Sequence, residues 1–158
     1  MIRGVHHFAL HTQDIDRMAT FYRDVLGFKP VTPVFPWADE PMIDRAIGVP
    51  GSAARSLMMS AGNCYIELFE YQRPPSATEA PLRPNDRGYT HFALDVDDIA
   101  QAYERLTAAG MRFVNPGPVD FGEIKAVYGY DPDGNMIELQ QVSPDHAFAF
   151  EKLGRNPS

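Results

Sequence analysis

Residues 7–15 read HFALHTQDI, and residues 91–99 read HFALDVDDI. The two stretches share six of nine residues and stand 84 positions apart. After each stretch, apolar residues continue at the spacing of an amphipathic helix. These residues are Ile15, Met18, Ala19 and Tyr22 in the first copy and Ile99, Ala102, Tyr103 and Leu106 in the second. The repeat therefore predicts a structural unit that is used twice and that begins with a strand and a helix.

The ends of both predicted helices carry matching signals. Asp14 and Asp98 are predicted N-caps, because a carboxylate accepts hydrogen bonds from the free N–H groups of a first turn. Gly27 and Gly110 are predicted to stop the helices. Short strand-like runs separated by turn residues follow each helix. The runs cover residues 28–34, 55–60 and 64–71 in the first copy and 112–114, 124–130 and 136–142 in the second.

The predicted fold class is α+β, with two βαβββ modules whose curved mixed sheet surrounds a cleft. The modules form a single domain, with the first at residues 4–71 and the second at residues 88–142. A proline-rich stretch at residues 72–87 is the predicted linker. Residues 35–54 have no counterpart in the second copy, and we expect an insertion there with one short helix. The tail at residues 143–158 has no clear periodicity.

Composition and charge exclude several classes of protein. The formal net charge is −7 and no cluster of Lys and Arg is present, so we expect no nucleic-acid partner. The chain contains no apolar run of about 18 residues, so we expect no membrane span. Cys64 is the single cysteine, which leaves no disulfide within the chain and favours a cytoplasmic location.

One histidine in each copy is a candidate functional residue. Because side chains alternate along a strand, His7 shares a face with Ala9, opposite Phe8 and Leu10. His91 occupies the same place in the second copy. If the Phe and Leu side chains pack under the helix, both histidines lie on the other face of the sheet. His6 is expected on the face opposite His7, and Thr90 stands at the matching position of the second copy.

The last strand of each copy contains a second repeated motif, Ile-Glu-Leu, at residues 66–68 and 137–139. With their aliphatic neighbours facing the helix, Glu67 and Glu138 point to the same side as the histidines. Two His and two Glu form a nitrogen and oxygen ligand set for a divalent metal ion. Each residue alone is more typical of a half-exposed polar position. The competing interpretation is that the repeat belongs to the fold only and that the cleft is empty.

Three longer motifs carry a resemblance to a known family. VHHFAL at residues 5–10, FYRDVLGF at residues 21–28 and DPDGNMIEL at residues 131–139 are similar to the vicinal oxygen chelate superfamily. That superfamily includes glyoxalase I, methylmalonyl-CoA epimerase, extradiol dioxygenases, and fosfomycin and bleomycin resistance proteins. The resemblance covers about residues 4–142. It implies metal ligands at His7, Glu67, His91 and Glu138, a pattern similar to that of glyoxalase I.

The resemblance implies a divalent metal ion, Ni, Zn, Co, Mn or Fe, and a lyase or isomerase that moves a proton beside a metal-bound carbonyl. Glu67 and Glu138 are the expected catalytic residues, as ligands that double as base. An Fe(II) extradiol-type dioxygenase is one alternative. A non-catalytic protein that binds a small hydrophobic compound, as resistance proteins do, is another.

The expected partner of the chain is a small-molecule substrate, either a simple carbonyl compound or a thioester. Arg55 stands at the start of a predicted strand beside the insertion, and we expect it to anchor an anionic substrate. A homodimer is expected because sheets of this kind leave edges and apolar surface to cover.

Overall fold

The computed structural model describes residues 2–78 and 80–154. The chain divides into two compact units, Met1–Glu79 and Ala80–Ser158, which we call unit 1 and unit 2. The last four residues of the predicted tail lie outside the described residues. No helix in the described part of the chain is long and apolar enough to cross a membrane.

Unit 1 contains five strands and two helices. In chain order they are β1 (His7–His11), α1 (Ile15–Asp24), β2 (Lys29–Pro30), β3 (Phe35–Ala38), α2 (Pro41–Ile47), β4 (Ala53–Ser60) and β5 (Tyr65–Arg73). The strand order in the sheet is β1-β5-β4-β2, and β3 pairs with β4. β1 and β5 are parallel, whereas the other pairs are antiparallel, so the sheet is mixed.

Residues 80–154 of unit 2 repeat this order without a second α-helix. Its elements are β6 (His91–Asp95), α3 (Ile99–Ala108), β7 (Arg112–Phe113), β8 (Val119–Asp120), β9 (Ile124–Tyr130), β10 (Met136–Val142) and a 3₁₀ turn at Phe150–Lys152. The strand order is β6-β10-β9-β7, with β8 beside β9. The α+β class and the two-module arrangement predicted from the repeat are confirmed.

Each unit adds one short strand to the predicted βαβββ order. β3 lies within the segment 35–54, and it holds the same place beside β4 that β8 holds beside β9. Part of this segment therefore has a structural counterpart in unit 2. The sequence did not indicate β3 because it is four residues long and contains Pro36, a residue typical of edge strands. The helix expected in this segment is α2.

The ends of the two repeated helices follow their predicted signals. The Asp14 carboxylate accepts a hydrogen bond from the Arg17 backbone N–H, and Asp98 accepts one from the Gln101 N–H. Gly27 and Gly110 follow the helices with φ angles of 81° and 93°. This left-handed region suits glycine because a Cβ atom is disfavoured there.

α1 and α3 each pack on one face of the sheet of their own unit. Ile15, Met18 and Tyr22 of α1 are fully buried, as are Ile66 and Leu68 of β5. The matching positions of unit 2 are Ile99 and Leu106 of α3 with Ile137 and Leu139 of β10, which are at most 2% exposed. We call the sheet face that carries these aliphatic residues the helix face and the other the open face.

The last strand of each sheet also caps the helix that covers it. The Ile15 backbone N–H donates a hydrogen bond of 2.8 Å to the Glu70 carboxylate, and the Ile99 N–H donates one of 3.2 Å to the Gln141 side-chain oxygen. Glu70 also accepts from Arg55, at 3.4 Å. These contacts join the first turn of each helix to the sheet at a point where a helix has free N–H groups.

Replacement of Glu70 tests this connection. Glu70→Ala leaves the buried Ile15 N–H without its acceptor and is expected to lower the free energy of unfolding by about 1–3 kcal/mol. Glu70→Gln reproduces the arrangement of unit 2 and keeps the acceptor, so its cost is expected to stay below about 1 kcal/mol. Urea denaturation measures both, with the exposed Glu104→Ala as a control. Equal losses in the two Glu70 variants would show that the ion pair with Arg55 matters and the cap does not.

Candidate metal centre

His7 and Glu67 lie together on the open face of unit 1. In the parallel pairing of β1 with β5, Glu67 stands opposite Ala9, two residues beyond His7. The His7 Nε2 atom lies 3.5 Å from the Glu67 Oε2 atom. The alternation of the two strands therefore brings together the residues that the sequence predicted.

His91 and Glu138 form the same pair in unit 2. Glu138 stands opposite Ala93 in the pairing of β6 with β10, which is the register of the first pair. The His91 Nε2 atom lies 3.3 Å from the Glu138 Oε2 atom. The side chains of His7 and His91 are 39% and 33% exposed, so both pairs are accessible from solvent.

The residue before each histidine contacts the other ring nitrogen. The Nδ1 atom of His7 lies 2.9 Å from Nδ1 of His6, and Nδ1 of His91 lies 3.0 Å from the Thr90 hydroxyl. The expectation that His6 faces away from His7 is wrong, because β1 begins at His7 and strict alternation does not extend to position 6. A hydrogen bond at Nδ1 orients an imidazole and leaves Nε2 for a ligand.

The surroundings of the two carboxylates differ. Tyr128 stands opposite Glu138 on β9, and Met58 stands opposite Glu67 on β4. Burial raises the pKa of Glu67, and the nearby His7 partly offsets this effect. The pKa of Tyr128 is raised first by burial and then by the charge of Glu138 and a hydrogen bond to it. The Tyr128 ring also packs edge-on against His91, with 5.2 Å between centroids.

Each pair offers one imidazole nitrogen and one carboxylate, which are donors suited to Zn, Ni, Co, Mn and Fe ions. Within residues 2–78 and 80–154, no group of three or more His, Cys, Asp or Glu forms a metal cluster. The donor chemistry of each pair fits half of a divalent-metal site.

Arg55 does not lie with the predicted pairs. It pairs with Glu70 on β4 and β5, at positions that share the helix face with Leu57 and Leu68. Its guanidinium donates to Asp16 at 2.9 Å and to Glu70 at 3.4 Å. The pKa of Arg55 is raised, mainly by the hydrogen bond to Asp16. Arg55 ties the start of α1 to the sheet, and its predicted role in substrate binding stays a prediction.

Aromatic residues of β3 lie on the open face of unit 1. Trp37 contacts Phe69 and Tyr71 of β5, with ring centroids 6.0 and 5.9 Å apart. The Trp37 indole N–H donates to the Ser52 hydroxyl at 2.9 Å, and that hydroxyl donates to Asp44 of α2 at 2.5 Å. The hydrogen bond from Ser52 is the main cause of a lowered pKa of Asp44. We call Trp37, Ser52 and Asp44 the clasp, because they hold β3 and α2 together.

Removal of the Ser52 hydroxyl is expected to loosen the clasp. Ser52 is fully buried, so Ser52→Ala leaves the Trp37 N–H without an acceptor and costs about 1–3 kcal/mol of unfolding free energy. Urea denaturation followed by the fluorescence of Trp37, the only tryptophan, measures the effect. Ser60→Ala, at the half-buried end of β4, is the control. An unchanged stability in Ser52→Ala would contradict the importance of the clasp.

Comparison with known proteins agrees with this geometry. The sequence profile of the Glyoxalase/Bleomycin resistance protein/Dioxygenase superfamily matches residues 4–139. A 2-epi-5-epi-valiolone epimerase from an Actinomyces species is 32% identical over 143 residues, which cover 86% of this chain and 78% of the epimerase. A probable lactoylglutathione lyase from a Synechocystis species is 30% identical over 141 residues, which cover 86% of this chain and 96% of the lyase.

A solved structure shares the fold. The crystal structure of a glyoxalase family protein from Bacillus cereus superposes with a TM-score of 0.76 at 20% sequence identity. The superposition covers 90% of this chain and 95% of that protein.

Proposed function

Since the chain belongs to the glyoxalase/bleomycin resistance/dioxygenase superfamily, we propose that it is a divalent-metal-dependent lyase or isomerase that moves a proton beside a carbonyl group. The observation that carries this proposal is the His–Glu pair that occurs in the same register on the open face of each sheet. The related proteins are named as an epimerase and a lyase, which supports both reaction types.

We propose that His7, Glu67, His91 and Glu138 bind one divalent ion, with the second pair supplied by the same chain or by a second chain. Two imidazoles and two carboxylates form a neutral site with a divalent ion. The native ion is Ni, Zn, Co, Mn or Fe, because this donor set suits all of them.

When held by these four residues, a divalent ion would supply Lewis acidity, which would polarise a substrate carbonyl and make the neighbouring C–H more acidic. The chain supplies the base. A carboxylate of Glu67 or Glu138 accepts the proton from carbon and returns it to the substrate. A general base placed in this way contributes roughly 10²- to 10⁴-fold to the rate. His6 and Thr90 orient the two imidazoles through their Nδ1 atoms.

Two other functions remain as alternatives to test. An extradiol-type dioxygenase needs Fe(II) with open positions for a catechol and O₂, and a second carboxylate ligand occupies one of these positions. A protein that only sequesters a small hydrophobic compound has no need of two matched His–Glu pairs. Bound iron together with oxygen uptake in the presence of a catechol would identify a dioxygenase. Ligand binding that is unchanged by a metal chelator would identify a sequestering protein.

We further propose a homodimer in the cytoplasm. β1 and β6 stand at the ends of their sheets, and large apolar side chains such as Val5 and Phe121 are 80% and 69% exposed. Edges and apolar patches of this kind favour association. Cys64 is a free thiol, as expected in a reducing compartment. Light scattering measures the mass in solution.

Metal analysis tests the ligand set. Protein purified without chelator is expected to contain a near-stoichiometric divalent metal, and His7→Ala and Glu138→Ala are expected to lose it, because each removes one donor atom. Elemental analysis measures the content. His11→Ala is a matched control, because His11 lies on the same strand and face as His7 and its ring contacts Tyr71. A wild type that stays metal-free after incubation with these ions would contradict the proposal.

Proton exchange tests the chemistry. In D₂O, the metal-loaded protein is expected to introduce deuterium at the hydroxymethyl carbon of hydroxyacetone, which lies beside the carbonyl. NMR measures this exchange. Glu67→Gln and Glu138→Gln remove a carboxylate base, and the variant that removes the operating base is expected to slow exchange by roughly 10²- to 10⁴-fold. Glu104→Gln, on α3, is the control. Equal exchange in the wild type and in both site variants would exclude a carboxylate base.

A further inference from the structure

We propose that four aromatic side chains on the open face of unit 1 bind an uncharged, planar apolar ring of the substrate. The side chains are Phe35, Trp37, Phe69 and Tyr71, and we call them the aromatic platform. This inference rests on the proposed function, because it takes the open face as the face that meets the substrate. It adds a substrate class, namely ring-bearing carbonyl compounds whose ring has no charged substituent.

The rings of the platform form one continuous surface. Phe69 and Tyr71 are stacked with centroids 5.8 Å apart, and Phe35 is stacked on Trp37 at 6.2 Å. Trp37 meets both β5 rings edge-on, with interplanar angles of 87° and 88°. These distances lie within the range of favourable aromatic contact, about 4.5–7 Å.

Small residues on β4 allow the rings to meet. β4 runs between β3 and β5, and side chains that stand opposite one another in a ladder share a face. Ser56 separates Phe35 from Phe69, and Ala54 separates Trp37 from Tyr71. Because neither side chain projects far from the sheet, the aromatic rings on both sides close over β4.

The platform consists of one buried, anchored ring and three accessible rings. Trp37 is only 8% exposed and is anchored through its indole N–H to Ser52. Phe35 is 56% exposed, and Phe69 and Tyr71 are half-buried. An exposed apolar surface with a rigid support is typical of a site that binds another apolar group.

The platform is continuous with the His7–Glu67 pair. Glu67, Phe69 and Tyr71 occupy alternate positions of β5 and therefore share the open face.

Charge near the platform favours an uncharged ring. The guanidinium of Arg73 is 2.9 Å from the carboxylate of Asp39, and Arg55 is ion-paired on the helix face. Lys29 lies on β2, which pairs with β4 on the same side as β3 but near the other end of β4, opposite Ser60. With a net charge of −7 on the chain, an anionic substituent on the ring meets repulsion.

Unit 2 provides an internal control because it has the same His–Glu pair with different neighbours. Val119, Phe121, Gln140 and Val142 occupy the positions of Phe35, Trp37, Phe69 and Tyr71 in the corresponding ladders, so unit 2 has one aromatic ring where unit 1 has four. Unit 2 places a tyrosine beside its carboxylate instead, at Tyr128. The four-ring platform is therefore a feature of unit 1. Comparing variants at matched positions of the two units separates loss of a platform ring from a general effect of substitution on a sheet.

The experiment uses the full chain labelled with ¹⁵N. Trp37 is the only tryptophan, so one indole N–H signal reports directly on the platform. The probes are 2-hydroxyacetophenone, hydroxyacetone, which lacks the ring, and 4-(hydroxyacetyl)benzoate, which carries a carboxylate on the ring. 2-Hydroxyacetophenone is expected to shift the signal saturably, with a Kd about tenfold or more below that of hydroxyacetone. The ring-carboxylated probe is expected to bind about tenfold more weakly than 2-hydroxyacetophenone.

Variants assign the effect to the platform. Phe35→Ala removes an exposed ring, and Phe69→Leu keeps apolar bulk without a ring, so both are expected to fold. Each is expected to weaken binding of 2-hydroxyacetophenone by about three- to tenfold, because it removes one ring contact. Val119→Ala and Gln140→Leu are the controls in unit 2 and are expected to leave the Kd unchanged. Equal affinity for the probes with and without the ring, or equal effects in the two units, would overturn the proposal.

Metal content measured on the same samples separates this inference from the proposed function. Ring-dependent binding by metal-free protein, with the expected pattern of variants, supports the platform and contradicts the proposed function. Metal-loaded protein that exchanges the proton of hydroxyacetone, but gains no affinity from the ring, supports the proposed function and overturns the platform.

Discussion

The parallel pairing of the first and last strand is the constraint on which each unit depends. It sets Ala9 opposite Glu67 in unit 1 and Ala93 opposite Glu138 in unit 2. Because side chains alternate along a strand, a slip of one residue moves every side chain to the other face. Such a slip in unit 1 turns Glu67 under α1 and brings Ile66 to the open face. The register that buries the aliphatic residues is therefore the one that presents the His–Glu pair.

The free energies of the contacts around Glu67 and Glu138 indicate what holds the two His–Glu pairs in place. Full burial of an Ile or Leu side chain contributes about 1.5–3 kcal/mol, and Ile66 and Leu68 are both fully buried beside Glu67. An exposed ion pair contributes about 0–1 kcal/mol, and the histidines are about a third exposed. The neighbours of each carboxylate hold it in position, and its attraction to histidine adds little. The pair is thus available to bind a ligand without loss of the fold.

The sequence predicted those parts of the molecule that are periodic or repeated. The paired helices, their Asp caps and the open-face positions of His7 and His91 all follow from spacing. β3 and β8 were not predicted, because β3 contains Pro36 and β8 is two residues long within a stretch of turn residues. The contact of His6 with His7 depends on where a strand begins, which sequence patterns place only approximately.

The orientation of Arg55 was predictable from the alternation of side chains along β4, which the expectation of a substrate anchor did not take into account. It has the same parity on β4 as Leu57 and Met59, which are buried on the helix face. Alternation alone therefore predicts that Arg55 faces α1, and the acidic partners Asp16 and Glu70 satisfy its charge there. Arg55 therefore does not lie beside the His–Glu pair on the open face. The two sheets meet the same constraint at the His–Glu pair and differ around it, with rings beside one pair and a tyrosine hydroxyl beside the other. The register fixes the pair in both sheets and leaves the flanking positions free to vary, and those flanking positions are where the two units differ.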